Sequence, residues 1–363
     1  MTDKLIIRTS DRESFRRCRQ AWDFGSKIRQ NWDYVPGVEP LDFGTAIHAA
    51  LEVYYDPRRW GDDRSVVEQE GVMAFSNHMA DWKRRLHKSR QWDMMEDEWR
   101  AHNVLGRGVL KHFYTWAPVM DDQWEPLKSE LEFEVPIPIP DGFVIPVGWG
   151  RSPENNLLKV VDDKLIPVVY QGRIDLIARN IRTNKVYIID HKTRGQFGDY
   201  EHYELDTQAS SYAWVLKKIL KIDVHGIIFQ ELRKKAPQEP KVLKRGALSK
   251  DKGQSTTAEI YRAAVLRAGH PIAEYEDFIT FLETEGQQYF RRIQVDRSEK
   301  ELEIIGRNVI DEAIDMLDNP RIYPSPSGIN CNGCRYREPC LMKQDGSDSQ
   351  YYLDHSLLYE RRS

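Results

Sequence analysis

Two apolar segments lie back to back in the chain, VVYQGRIDLIARN at 168–180 and KVYIIDHKTR at 185–194, sharing the turn-like join NIRTNK. Their Val, Ile and Tyr content predicts two core strands, and so short a join predicts a hairpin. Each carries an acid where a buried strand has no packing use for one, Asp175 in the middle of the first and Asp190 near the end of the second. Residues two apart on a strand share a face, so Asp190 and Lys192 project together, and pairing of the strands lets Asp175 converge on Asp190. An earlier alternating stretch, SELEFEVPIPIP at 129–140, sets Glu130, Glu132 and Glu134 on one face of another strand. Parity does not separate these three, but one of them, Glu130 for example, can supply a third carboxylate. Acids gathered at one point repel unless a hard divalent cation lies between them. A lysine beside them can hold a water or offset charge building on a phosphate.

The surrounding pattern predicts an α/β chain. TSDRESFRRCRQAW reads as a helix with Ser10 and Glu13 as its capping box and Cys18 two turns in. LDFGTAIHAALEVYY reads as a helix starting after Gly44, with His48 beside the apolar stripe of Ile47, Leu51 and Tyr54. Residues 65–118 read as mostly helical and ended by Pro118, and 141–168 as short strands between loops. The helix LDTQASSYAWVLKKILK puts Gln208 and Tyr212 on one face directly after the Asp190 strand. VHGIIFQEL follows as another strand, and residues from about 256 to 318 read as helices. Helix, strands, helix, strand is the order of a mixed sheet rather than a helical bundle.

Composition narrows the function classes. The 363 residues carry 30% charged and 40% hydrophobic side chains with a net charge of −4, which excludes a broadly basic nucleic-acid coat. No run is apolar enough to span a membrane, and the charged N-terminus MTDKLIIRTSDRES does not read as a signal peptide, so the expectation is a cytoplasmic protein. Charge is nevertheless uneven: Arg233–Lys252 holds eight Lys or Arg against two acids. That stripe, with Arg233, Lys234, Lys235, Lys241, Lys244 and Arg245, suits phosphate neutralisation, or it is simply a solvated loop. Of four cysteines, Cys331, Cys334 and Cys340 crowd into CNGCRYREPC while Cys18 lies far upstream. The spacing fits metal ligation rather than a disulfide framework, and by itself leaves zinc and iron–sulfur open. No phosphate-binding G-x-x-x-x-G-K-[ST] loop occurs, so no attached motor is expected.

The succession resembles the RecB-type branch of the PD-(D/E)XK nuclease superfamily. The motifs run in order: the histidine of GTAIHAALE, the glutamate of SELEFEVPI, the aspartate of GRIDLI, the acid and lysine of IIDHKT, and QASSY. The family pattern puts its glutamate three residues before the strand phenylalanine, which favours Glu130. The resemblance implies a restriction-endonuclease-like mixed sheet flanked by helices, with a helical insert and a C-terminal four-cysteine segment. It implies one nuclease domain over 1–363: an N-terminal helix at 10–30 with the first cysteine, helices at 45–120 and a catalytic core at 125–232. The basic loop at 233–255, helices at 256–320 and the cysteine segment at 325–345 complete it. It implies Mg²⁺ or Mn²⁺ at His48, Asp175 and Asp190, with Lys192, Glu130, Gln208 and Tyr212 in the catalytic set. The cysteine pattern is similar to CRISPR-associated RecB-like, AddB nuclease-domain and phage exonucleases. There Cys18, Cys331, Cys334 and Cys340 would hold a [4Fe–4S] cluster. The expected partner is DNA, single-stranded ends above all, in a stand-alone phage-type exonuclease working in the host cytoplasm. The competing expectation is a DNA-binding recombination factor that keeps the fold, does not cut, and carries a structural zinc.

Overall fold

The hairpin forms, and the sheet is built around its first strand. The computed structural model describes residues 3–37, 39–318 and 320–362. Its strands are β1 (Leu5–Arg8), β2 (Trp32–Tyr34), β3 (Trp124–Pro136), β4 (Trp149–Arg151) and β5 (Leu157–Val161), then β6 (Lys164–Asn180), β7 (Val186–Arg194), β8 (Val224–Arg233), β9 (Phe290–Asp296) and β10 (Tyr359–Arg361). Its helices are α1 (Thr9–Arg17), α2 (Arg19–Gly25), α3 (Glu39–Tyr54), α4 (Arg64–Lys88), α5 (Trp92–Met120) and α6 (Thr207–Trp214). After these come α7 (Ala258–Arg267), α8 (Glu276–Thr284), α9 (Glu299–Leu317), α10 (Gly328–Cys331), α11 (Arg337–Asp345) and α12 (Ser349–His355).

Eight strands form one mixed sheet in the order β4-β5-β6-β7-β8-β9, with β1 and β3 also paired to β6. β6 and β7 are antiparallel, whereas β7 and β8 are parallel and joined through α6. Both faces of the centre are covered, which is why β7 reads as an unbroken apolar run. Ile188 belongs to the layer packed by α1, α6 and α9, and its neighbour Ile189 to the layer packed by α3, α4 and α5. The result is a helix–sheet–helix sandwich of the restriction-endonuclease-like kind.

β6 explains where the sheet opens. β3 pairs along one edge of it from Val169 to Asn180. On the other edge, parallel β1 ends at the Arg8–Gln171 pair and β7 begins at the Leu176–Ile189 pair. Gly172 to Asp175 therefore have no ladder partner on that side, and α1 starts directly over the gap. Gly172 is required there, because a Cβ would stand 2.6 Å from the Phe133 ring and 2.8 Å from Thr9 Oγ1. Across the gap α3 packs close to β7 at Gly44, whose Cβ would lie 3.3 Å from Thr193 Oγ1.

Several expectations change. The first helix begins earlier than Ser10: Arg8 is the N-cap and Asp11, not Glu13, accepts its backbone N–H at 3.2 Å, so the Ser10–Glu13 box does not form. The segment 10–30 is two helices, broken at Cys18 by extended backbone. α3 starts at Glu39, well before Gly44, and Pro118 sits inside the last turn of α5 instead of ending it. The run of helices expected over 256–320 is interrupted by β9, which pairs with β8 along seven residues. Within 233–255 the chain folds back on itself at the Val242–Leu248 bridge, with Leu243 N–H donating to Ala247 O at 2.8 Å. The chain ends meet in a separate apolar cluster, where β10 pairs antiparallel with β2. Among the described residues no helix is long and apolar enough to cross a membrane.

Candidate active site

Glu130 falls opposite Asp175, between the register pairs Ser129–Leu176 and Leu131–Ile174. Two features at this step separate Glu130 from Glu132 and Glu134. Its φ is +46°, a left-handed conformation that a residue with a Cβ adopts at a cost of about 1–3 kcal/mol. Opposite it β6 also rolls, since Ile174 and Leu176, two apart, enter opposite core layers. The Glu130 side chain is thereby only 8% exposed, while Glu132 and Glu134 face solvent.

His48, one turn beyond Gly44 on α3, completes a group of three: ligand atoms of His48, Glu130 and Asp175 lie within 4.8 Å of one another. His48 Nδ1 is 3.4 Å from Asp175 Oδ1, and Asp175 Oδ2 accepts the backbone N–H of His191 at 2.8 Å. The second bond replaces the ladder bond that stops at Leu176–Ile189, so the splay of the sheet turns the Asp175 carboxylate into the gap. Glu130 is held from outside by Arg173 Nε at 2.6 Å.

A second chain of contacts runs along the β7–α6 side. Asp190 Oδ2 is 2.8 Å from Lys192 Nζ, Lys192 donates to Gln208 Oε1 at 3.1 Å, and Gln208 Nε2 donates to the Tyr212 hydroxyl at 3.2 Å. Asp190 and Lys192 share the face their parity predicts. The Asp190 carboxylate is nonetheless committed to Lys192 and is not one of the three mutually close ligands, where the resemblance groups it with His48 and Asp175.

Charge coupling separates the acids. Burial pushes Asp175 up, but the charge and hydrogen bond of His48 outweigh it and hold the carboxyl well below the usual range. Burial, then the Asp175 charge, push Glu130 up to about 7. Asp190 is pushed up to about 6 by burial, against the pull of Lys192. Burial would lower Lys192, yet Asp190 holds it above the ordinary lysine value, so it stays an ammonium. Two mutually repelling, half-buried acids and an imidazole are a donor set suited to a divalent cation with mixed O and N preference, magnesium or manganese.

Sequence reasoning passed over three residues here. The His191 side chain does turn away from Asp190, but its backbone N–H fixes Asp175 and its ring stacks on Tyr55 at 5.6 Å, 5.8 Å from His48. Gln230 Nε2 donates to His191 Nδ1 at 3.1 Å, and burial pushes this imidazole down to about 3. Arg173, beside the motif aspartate, anchors Glu130. Glu13, freed from capping, lines the cavity that begins at Arg8 and Ser10, and the charge of Lys192 acts on its carboxyl. Its i+3 spacing from Ser10 pointed to a cap, and nothing in the pattern marked it otherwise.

The cysteines lie apart from this site. Cys18, Cys331, Cys334 and Cys340 all line one cavity of about 230 Å³ between α2 and the C-terminal helices. Among the described residues no three of their sulfurs lie within 4.8 Å of one another. In the basic segment Arg233 and Lys235 reach Gln287, at 3.4 and 3.1 Å, and Lys234 stands over the Phe43 ring. Lys241, Lys244 and Arg245 are exposed around the fold-back.

A family model described as the PD-(D/E)XK nuclease superfamily matches residues 9–341. The chain belongs to that superfamily. Its gap in the sheet is therefore the candidate centre of a nuclease, whose substrate is DNA. No curated protein matches the chain by sequence. Among solved structures, the crystal structure of SSO0001 is similar over 69% of this chain and 78% of that one, at 13% identity and a TM-score of 0.27.

Proposed function

We propose that the chain is a Mg²⁺- or Mn²⁺-dependent exonuclease of the RecB-type branch, acting on single-stranded DNA ends. The observation that carries this is the His48–Glu130–Asp175 group with the Lys192 ammonium close by. His48, Glu130 and Asp175 would hold the cation, with Asp190 at its margin. Bound there, a divalent cation supplies Lewis-acid polarisation of the phosphate and a more acidic water. Lys192, still protonated, acts as a cation and donor rather than as a base, holding the attacking water or offsetting charge on the phosphate. Gln208 and Tyr212 fix its direction. His191 fixes Asp175 through its N–H.

We further propose that the four cysteines hold an iron–sulfur cluster that ties the chain ends to the core as part of one nuclease unit. Their shared cavity supports a common ligand. A structural zinc and a [4Fe–4S] cluster would both take these four thiolates, and the nuclease motifs in the same chain favour the cluster. Brown protein with broad absorbance and iron in stoichiometric amount is expected; colourless protein containing zinc would reverse that assignment.

The activity is tested with end-labelled linear single strands, linear duplexes and circular single strands, with either metal or with chelator. Linear single strands should shorten from an end, circles should survive, and chelator should stop the reaction. Asp190→Ala and Lys192→Ala should each lower the rate by about 10²–10⁴-fold. Undiminished cleavage by both variants would remove the assignment. DNA binding without any metal-stimulated cleavage would instead indicate a non-cutting assembly factor.

A further inference from the structure

Two cavities meet at Arg8 and Ser10 on the start of α1. One, of about 470 Å³, lies over the sheet gap and is lined by Glu132, Gln171, Arg173, Gln208 and Tyr212. The other, of about 410 Å³, runs from Glu13 between α1, α2 and the C-terminal segment, past Arg17 and Lys27 to Arg335 and Arg362. Five cations line the second cavity, Arg8, Arg17, Lys27, Arg335 and Arg362, against two acids, Asp11 and Glu13. Arg335 and Arg362 are occupied with Asp33, at 3.7 and 2.8 Å. Arg8 is 3.8 Å from Asp11. Arg17 and Lys27 are exposed and make no ion pair among the described residues, so the net positive charge is not cancelled from within.

We propose that this pair of cavities is one groove carrying the phosphodiester backbone of a single DNA strand. It runs from Arg173 across Arg8 to Arg17 and Lys27, with the reacting phosphate at the Lys192 end. The reading rests on the nuclease assignment above and adds a path that the basic stripe at 233–252 did not suggest. The unpaired Arg17 and Lys27 can neutralise successive phosphates, and Arg8, whose contact with Asp11 is long at 3.8 Å, stands between them and the sheet gap. Walls from both ends of the chain, α1–α2 on one side and Arg335, Tyr336 and Arg362 on the other, place the strand beside the C-terminal segment. That segment then guides substrate as well as closing the fold.

The test uses full-length protein with chelator, so that binding is read without cleavage. Affinity for a labelled single-stranded 20-mer is measured by fluorescence anisotropy across a salt series. The proteins compared are the wild type, Arg17→Gln/Lys27→Gln, and Lys241→Gln/Lys244→Gln. Both substituted pairs are exposed, and an unchanged melting midpoint confirms the fold. Loss of two phosphate contacts should lower the slope of log affinity against log salt by about 1.4 for a single strand, and affinity by about tenfold. The expected result is that the groove pair shows this loss, the loop pair shows less, and binding to a blunt duplex is untouched by the groove pair. Equal slopes for wild type and the groove pair, or an equal loss on blunt duplex, overturns the proposal. A chain that cleaves nothing but shows the slope change would retain the groove while the nuclease reading fails. Cleavage with unchanged slopes would do the reverse.

Discussion

The acid site and the cysteine cavity are both convergences of distant residues, but they are held together differently. His48, Glu130 and Asp175 come from α3, β3 and β6, whose backbones are fixed by the central ladder and by two buried layers. Their ligand atoms stand within 4.8 Å although two of the groups repel. Cys18 sits at a break between helices, and its three partners lie on short C-terminal segments docked through a small apolar cluster around Phe24, Trp32 and Tyr336. Those four thiols share a cavity without drawing within single-ion distance. A sheet can impose a strained, charge-rich arrangement; short terminal segments have less packing with which to do so. Chemistry is therefore expected to belong to the first region and cohesion to the second.

The sharpest break of that contrast is paired substitution. Lys192→Ala should lower cleavage by about 10³-fold while unfolding remains cooperative near the wild-type midpoint. On the proposed cysteine-held cluster, Cys334→Ser should lower the iron content and lower the midpoint by roughly 10 °C, with activity falling only as folded protein is lost. Calorimetry beside the cleavage assay checks both, and interchange of the two phenotypes would collapse the distinction.

Next in size is the gap itself. Gly172→Ala places a methyl against Phe133 and Thr9 and should cost about 1–3 kcal/mol in a denaturant titration. Because it pushes α1 from the sheet, it should also slow cleavage, although it removes no functional group.

An effect of similar size, but confined to high pH, follows from Glu130. Its carboxyl rises in the folded protein from an ordinary 4.5 to about 7, so the folded state binds more protons than the unfolded state across that interval. Stability of the metal-free protein should therefore fall as pH rises through it. A divalent cation offsets the ionised pair, so the gain in midpoint on adding Mg²⁺ should be larger at pH 8 than at pH 5.5. Glu130→Gln should flatten the metal-free profile, stabilising the protein at pH 8 by roughly 1–3 kcal/mol. An unchanged profile would mean that Glu130 does not face Asp175 as described.

Much of the first region was legible in the sequence, and the reasons are local. Strand parity put Asp190 and Lys192 on one face, and four-residue spacing put Gln208 and Tyr212 on another that meets it. What parity could not supply was the choice among Glu130, Glu132 and Glu134, because that depends on a left-handed residue inside a strand. The donor to Asp175 was equally hidden, since a backbone N–H has no residue type to betray it. β9 was missed because Phe290–Asp296, FRRIQVD, alternates with charged residues and reads as a helix surface; it is an edge strand with one wet side. Glu13 reads as a cap from its i+3 spacing to Ser10, but the helix starts at Thr9 and Asp11 takes that position through Arg8.

Cation binding by His48, Glu130 and Asp175 is the central claim. Mn²⁺ titration followed by electron paramagnetic resonance, on metal-stripped protein, measures this without any substrate. Wild type and Cys334→Ser should bind Mn²⁺ alike, while His48→Ala and Asp175→Asn should weaken it by at least about tenfold. Equal Mn²⁺ affinity in the wild type and Asp175→Asn would contradict the account.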